Sequence, residues 1–216
     1  MAKATKELIL DAAESLFADS GFQATSLRDI TSAASVNLAS VNYHFGSKAA
    51  LLTALLERHF APVNKRRIEL LDELEATSAS EVKLEDIVRA FLSPPFKLFA
   101  RDIKKRATLL RLVGRLHSET DEVRAAFVVT LQPTIRRFTA AFQKASPEIA
   151  PEEVVWRTLF LVGAMAHTML LSQSLPLGAA RRPEPLELLE ALITFGTAGF
   201  KAEQSQSMAA TAAAQV

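Results

Sequence analysis

The chain has 216 residues, 49% of them hydrophobic and 23% charged, with a formal net charge of +1 and no cysteine. That is an ordinary globular balance, long enough for one large or two modest domains. The lack of Cys excludes disulfide frameworks, thiolate zinc sites and cysteine nucleophiles, and the near-zero charge gives no overall pull toward nucleic acid.

Thirteen Phe stand against one Trp and one Tyr. Phe has no polar handle, so these rings ask for a dry core or an apolar pocket. No apolar run approaches the ~20 residues that a membrane helix needs. The opening MAKATKELILDAAESLF is amphipathic and interrupted by charge, unlike the apolar stretch of a signal peptide. A cytoplasmic location without membrane contact is expected.

From Thr5 to Asp19, Leu8, Ile9, Ala12, Ala13, Leu16 and Phe17 form a helical stripe. Gly21 stops that helix. Ser26 caps a second one, from Leu27 to about Ala34, with Asp29 at the capping-box position. The turn Ser35-Val36-Asn37 follows, and Asn37 caps a third helix from Leu38 to about His44. Val41 and Phe45 point inward, Gly46 ends the helix, and Ser47 caps the next.

Two short helices about a tight turn are the plan of a helix-turn-helix DNA reader. Leu38, Ala39, Ser40, Asn42, Tyr43 and His44 are left outward on the third helix. Asn42 suits adenine, and Leu38 or Ala39 suits a thymine methyl. Tyr43, His44 and Lys48 suit phosphates, with Ser26, Arg28 and Asn37 completing the DNA-facing set. Periodicity alone fits a solvated polar face on a small helical domain equally well. The first fifty residues hold Lys3, Lys6, Arg28 and Lys48 against Glu7, Asp11, Glu14, Asp19 and Asp29. A reader so poor in cations binds weakly by itself and needs a second copy.

Leu51, Leu52, Leu55, Leu56 and Phe60 continue a helix, with Pro62 placed to kink it. Lys65, Arg66 and Arg67 read as a solvated face, ~25 Å from Ser47 along a straight helix and so remote from phosphates. A loop over 76–80 and a helix over about 83–92 follow, the latter broken by Pro94-Pro95. Another helix is expected over 104–118. Thr120 then caps a long one to about Lys144, with a kink at Pro133. Pro151 opens a helix to about Leu175 that is apolar nearly all round from Leu159 to Leu171, hence buried on most faces. A last helix spans about 186–202. The fold class is all-α, with a reader over 1–46, a helical body over 47–203 and a frayed tail over 204–216.

The run from Leu8 to Leu51 resembles the DNA-binding domain of the TetR family of transcriptional regulators. The resemblance rests on ILDAAESLFADSGFQATSLRDI, on Ala33-Ala34, and above all on Val41-Asn42-Tyr43-His44-Phe45-Gly46-Ser47-Lys48 with Leu51-Leu52. Ser35 departs from it, since the family commonly has Gly at that turn, and Ser there must take a less comfortable conformation or a slightly different turn. The body is similar to the fatty-acid-responsive PsrA-type branch through RLVGRL and WRTLFLVGAMAHTM.

The resemblance implies a homodimer on double-stranded palindromic DNA, released by a small hydrophobic effector such as a long-chain fatty acid or acyl-CoA. Its alternative is an aromatic or drug-like ligand sensed for an efflux or stress system. Phe96, Phe99, Leu110, Arg111, Phe127, Phe138, Phe142, Phe160 and His167 are the expected effector residues, with Arg115, His117, Arg137 and Arg157 as further polar groups. Trp156, Leu161, Ala164, Leu188, Leu192 and Phe195 are the expected dimer contacts. An enzyme is the rival reading. It lacks an acid–base motif and a phosphate-binding Gly-rich loop, and His44, His59, His117 and His167 are too scattered for a shared metal. No cofactor is expected. A helical adaptor for partner proteins is the third reading.

Overall fold

The structure is a computed structural model that describes residues 2–77, 81–101, 114, 121–171 and 183–203. Among these, eight helices carry the fold: α1 (Ala2–Ser20), α2 (Leu27–Ala33), α3 (Leu38–Phe45), α4 (Lys48–Thr77), α5 (Leu84–Arg101), α6 (Asp121–Ala145), α7 (Pro151–Leu171) and α8 (Pro185–Lys201). Packing divides them into two units. The first takes the chain up to Pro62 and the start of α6 as far as Gln132. The second takes Val63–Arg101 and the described chain from Pro133 onward. This division falls inside α4, between Pro62 and Val63. The expected helix over 104–118 and the tail over 204–216 lie outside the described residues.

In the first unit α1 stops at Gly21, whose φ of 89° is left-handed. Phe22 turns back onto Phe17, ring centres 5.4 Å apart. Ile9, Ala13, Phe17, Ile30, Val41, Leu51, Leu55 and Leu56 form the buried centre. Charges lock the rim. Arg58 on α4 reaches Asp11 at 2.6 Å, Glu7 at 3.4 Å and also Glu14, while His59 Nε2 lies 3.1 Å from Glu14. Burial acts to raise the Glu14 pKa, but His59 and then Arg58 outweigh it and hold the carboxyl below the usual glutamate value.

The second unit is built on rings. Phe91 meets Phe138 edge-on at 5.0 Å, and Phe142 stacks on Phe200 at 4.4 Å. All four are essentially without solvent contact. Each such ring contributes roughly 1.5–3 kcal/mol by burial. The backbone of α8 approaches α7 and α5 closely at Gly196. A Cβ there would lie 2.7 Å from Leu161 Cδ1 and 3.4 Å from Val88 Cγ1.

Two expectations about helices are corrected. The pair Pro94-Pro95 does not break α5, which runs through it to Arg101. A proline at position i+4 removes the donor for the carbonyl at i, so Ala90 and Phe91 lose their helical partners. Arg67 Nε donates to the Phe91 carbonyl at 2.7 Å and replaces one of them. Second, α7 is not buried on most faces. Val155, Trp156, Leu159 and Phe160 are exposed along it, Phe160 by 66%.

Gly196→Ala is expected to destabilise the chain by about 1–3 kcal/mol through overpacking, read as a lower urea midpoint. An unchanged midpoint would mean that Leu161 yields freely. For Glu14 the sign follows from its lowered pKa: its stabilisation is complete above the ordinary glutamate range and is lost as pH falls through the folded value. Glu14→Gln should flatten the stability profile on the acid side of the ordinary glutamate range, measured by urea unfolding at stepped pH.

Candidate functional site

The surface of α3 is fixed from both ends. At its entry, α2 closes with Ser35 N–H donating to the Ser32 carbonyl at 3.2 Å and Val36 N–H to Thr31 at 3.0 Å. This is a Schellman closure with Ser35 as the left-handed residue, φ 53°. The expected discomfort of Ser at this turn is thus visible in its backbone. Asn37 Oδ1 then accepts from the Ser40 backbone N–H at 2.8 Å and from Ser40 Oγ at 2.9 Å, capping α3. At its exit Gly46 takes φ 77° and donates to the Asn42 carbonyl at 3.0 Å. Ser47 Oγ accepts from the Ala50 N–H at 3.0 Å and starts α4.

Upstream, α2 is held by a complete capping box. Asp29 N–H donates to Ser26 Oγ at 3.1 Å, and Ser26 N–H donates to Asp29 Oδ2 at 2.8 Å. The Ser26 hydroxyl also donates to Asp29 Oδ2 at 2.6 Å. These bonds hold the Asp29 carboxyl below the usual aspartate value, the side-chain bond from Ser26 being the largest cause.

Between these fixings α3 buries Val41 completely and turns Leu38, Ala39, Asn42 and Tyr43 outward, with Tyr43 83% exposed. His44 is half-buried, edge-on to Tyr43 at 5.1 Å. Arg28 is exposed on α2. The structure therefore brings Arg28, Leu38, Ala39, Asn42 and Tyr43 to the surface of one short segment. Ser26, Asn37 and Ser40 have their side-chain oxygens engaged in caps. Lys48 is engaged within the protein. Its ammonium donates to the carbonyls of Phe22 at 2.9 Å and Thr25 at 3.0 Å, and lies 4.2 Å from the centre of the Phe22 ring. It clasps the α1–α2 connection to the start of α4, a positioning role.

The expected effector residues fare differently. Phe96, Phe138 and Phe142 are core rings of the second unit. Phe127 belongs to the first unit, edge-on to Phe60 at 5.5 Å. Phe160 lies exposed on α7. His167 is exposed, its Nδ1 3.1 Å from the Gly163 carbonyl. The side chain of Phe99, and Leu110, Arg111, Arg115 and His117, lie outside the described residues. Arg137 pairs on the surface with Asp72 at 3.0 Å and with Glu75. Arg157 is buried. It pairs with Glu153 and donates to the Gly199, Phe200, Ala202 and Glu203 carbonyls, capping α8.

Of the expected dimer contacts, Trp156 and Phe195 are exposed by 50% and 65%. Leu161 and Leu192 face the other way, into the core, and Ala164 and Leu188 are half-buried against it. Sequence reasoning missed Phe160 and Leu186 as members of the open face, and Arg67 as a buried group. A cleft lined by Leu71, Val82, Ile87 and Ala141 measures only ≈ 20 Å³, room for about one water.

A family model described as "Tetracyclin repressor-like, C-terminal domain" matches residues 89–199, and one described as "Bacterial regulatory proteins, tetR family" matches residues 9–55. The HTH-type transcriptional regulator YttP of Bacillus subtilis is 31% identical over 85 residues, 39% of this chain and 41% of that protein. The match thus spans less than half of that relative's length. FadR from Bacillus subtilis, solved in complex with stearoyl-CoA, is similar at TM-score 0.66 and 15% identity over 89% of this chain and 98% of that one. The fatty acid degradation regulator FadR from Bacillus halodurans gives TM-score 0.65 and 13% identity over 92% and 97%. At such identities the two structures speak for the fold alone.

Ser35→Gly is expected to raise stability by about 0.5–1 kcal/mol. Relief of the left-handed backbone outweighs the greater freedom of Gly in the unfolded chain. Urea unfolding reads the shift, and a lower midpoint would mean that Ser35 contributes a contact worth more than its strain.

Proposed function

The chain belongs to the TetR family of transcriptional regulators, and on that premise we propose that it is a cytoplasmic repressor. As a homodimer it holds a palindromic operator and leaves it when a small hydrophobic effector binds. The observation that carries the reading is the face of α3. Val41 is wholly buried while Leu38, Ala39, Asn42 and Tyr43 stand outward between two fixed ends. Small and amide side chains on a rigid short helix are what close approach to base edges requires. In this reading Asn42 reads a base, Tyr43 meets a phosphate, and Lys48 acts through the clasp it forms.

A single reader with so few cations binds weakly, so the operator is held by two. The exposed apolar face of α7 and α8, with Trp156, Phe160 and Phe195, supports association of two copies. Two readers then meet half-sites one DNA turn apart, about 34–36 Å. Effector binding shifts the dimer toward a population whose readers no longer match that spacing. Long-chain fatty acid or acyl-CoA is the effector chemistry proposed. It draws on the motifs of the body and on fold likeness to the two FadR proteins.

Retardation of the DNA upstream of its own gene tests the reading, and no retardation of any palindromic fragment overturns it. Asn42→Ala should relax preference at one base pair by about 1–3 kcal/mol. Tyr43→Phe should weaken all sequences alike. Lys48→Met should weaken binding with an unchanged salt slope, whereas loss of a phosphate contact lowers the slope by about 1. Phe160→Asp should yield monomers in sedimentation and lower operator affinity. A wild-type chain that sediments as a monomer would remove the dimer from the proposal.

A further inference from the structure

Lys65, Arg66 and Arg67 are neighbours in sequence with different fates. Successive helical residues point about 100° apart. Lys65 and Arg66 face solvent, while Arg67 is 4% exposed, inside the second unit. Its guanidinium carbon lies 4.3 Å from the centre of the Phe91 ring. Nε donates to the Phe91 carbonyl at 2.7 Å, Nη1 to Asn64 Oδ1 at 3.1 Å and Nη2 to Met165 Sδ at 3.2 Å.

The first of these bonds has a structural reason, because Pro95 leaves that carbonyl without an amide. The Nη edge has none. A thioether is a weak acceptor, and a guanidinium offers five N–H donors in a fork shaped for a carboxylate. Among the described residues no carboxylate pairs with Arg67. Arg157, buried in the same unit, has Glu153 and four carbonyls. Burial pushes the Arg67 pKa down to about 9, which leaves it charged at neutral pH. A buried cation met only by neutral acceptors is costly to keep.

We propose that Arg67 is the receptor for the carboxylate of an otherwise apolar effector, which takes the Nη edge now facing Met165 Sδ. This rests on the ligand-responsive reading above and narrows it to free acids. An ester or thioester of the same acid carries no charge at that carbon and offers the fork a neutral carbonyl acceptor in place of two anionic oxygens. Met165 is half-buried, unbranched and able to change rotamer, so it yields the position without a backbone shift. The rings of Phe91 and Phe96 supply apolar surroundings for the rest of the molecule.

The test uses the full chain and acid–ester pairs, titrated by calorimetry: palmitate with methyl palmitate, and naphthoate with methyl naphthoate. The two pairs separate an aliphatic body from an aromatic one, and palmitoyl-CoA adds the thioester. One acid should bind at least roughly tenfold more tightly than its ester, as a charge-assisted hydrogen bond implies. Arg67→Met should erase that preference and leave ester binding intact, and Arg67→Lys should keep part of it. Met165→Leu keeps the guanidinium and removes the competing sulfur, so it should bind the acid more tightly even where Arg67→Met fails to fold. Equal affinity for acid and ester, binding of neither acid, or an unchanged preference in a folded Arg67→Met chain would overturn the assignment. Operator release by ester and acid alike would overturn it too, while leaving the regulator reading standing. Failure to bind operator with no effector added would strike that reading instead.

Discussion

A backbone carbonyl buried without an amide partner must find another donor. In this chain cations supply that donor at three places among the described residues. Lys48 serves Phe22 and Thr25, where the chain leaves α1 and enters α2. Arg67 serves Phe91, whose amide partner a proline has removed. Arg157 serves the last carbonyls of α8. Two of these cations, Lys48 and Arg67, are on α4. That helix therefore fixes the α1–α2 connection and also lets α5 continue through Pro94 and Pro95. The net charge of +1 hides this use, because these cations are turned inward.

Local chemistry was legible in the sequence wherever one residue type solves one local problem. Ser26 with Asp29, Asn37, Gly46 and Ser47 each cap or stop a helix as their spacing predicts. The strain at Ser35 was readable too, since few residues accept a left-handed backbone. The all-helical class followed from the same periodicities.

What sequence could not give was rotational phase where apolar residues cover most of a helix. Along α7 Leu161 goes inward and Phe160 outward, although both are large and apolar. On α8 Leu192 is in the core and Phe195 is in solvent. Nothing local distinguishes them, because the choice is made by the core of the second unit, which Leu161 and Leu192 join together with Phe138, Phe142 and Phe200. The proline pair failed as a stop signal for the same reason. One of its two missing amides is compensated by Arg67, 24 positions before the Phe91 carbonyl that it serves. Local rules cannot see a donor so distant, nor that one of three adjacent cations is taken out of water.

The chain's single Trp and single Tyr have a practical consequence. Tyr43 stands on the outward face of α3, and Trp156 on the open face of α7. Each packing unit thus carries its own natural chromophore, at the surface proposed for its partner. Emission excited at the red edge of the absorption band comes from the indole and follows what covers α7. The phenol signal follows what approaches α3. The two events can therefore be watched separately in unlabelled protein.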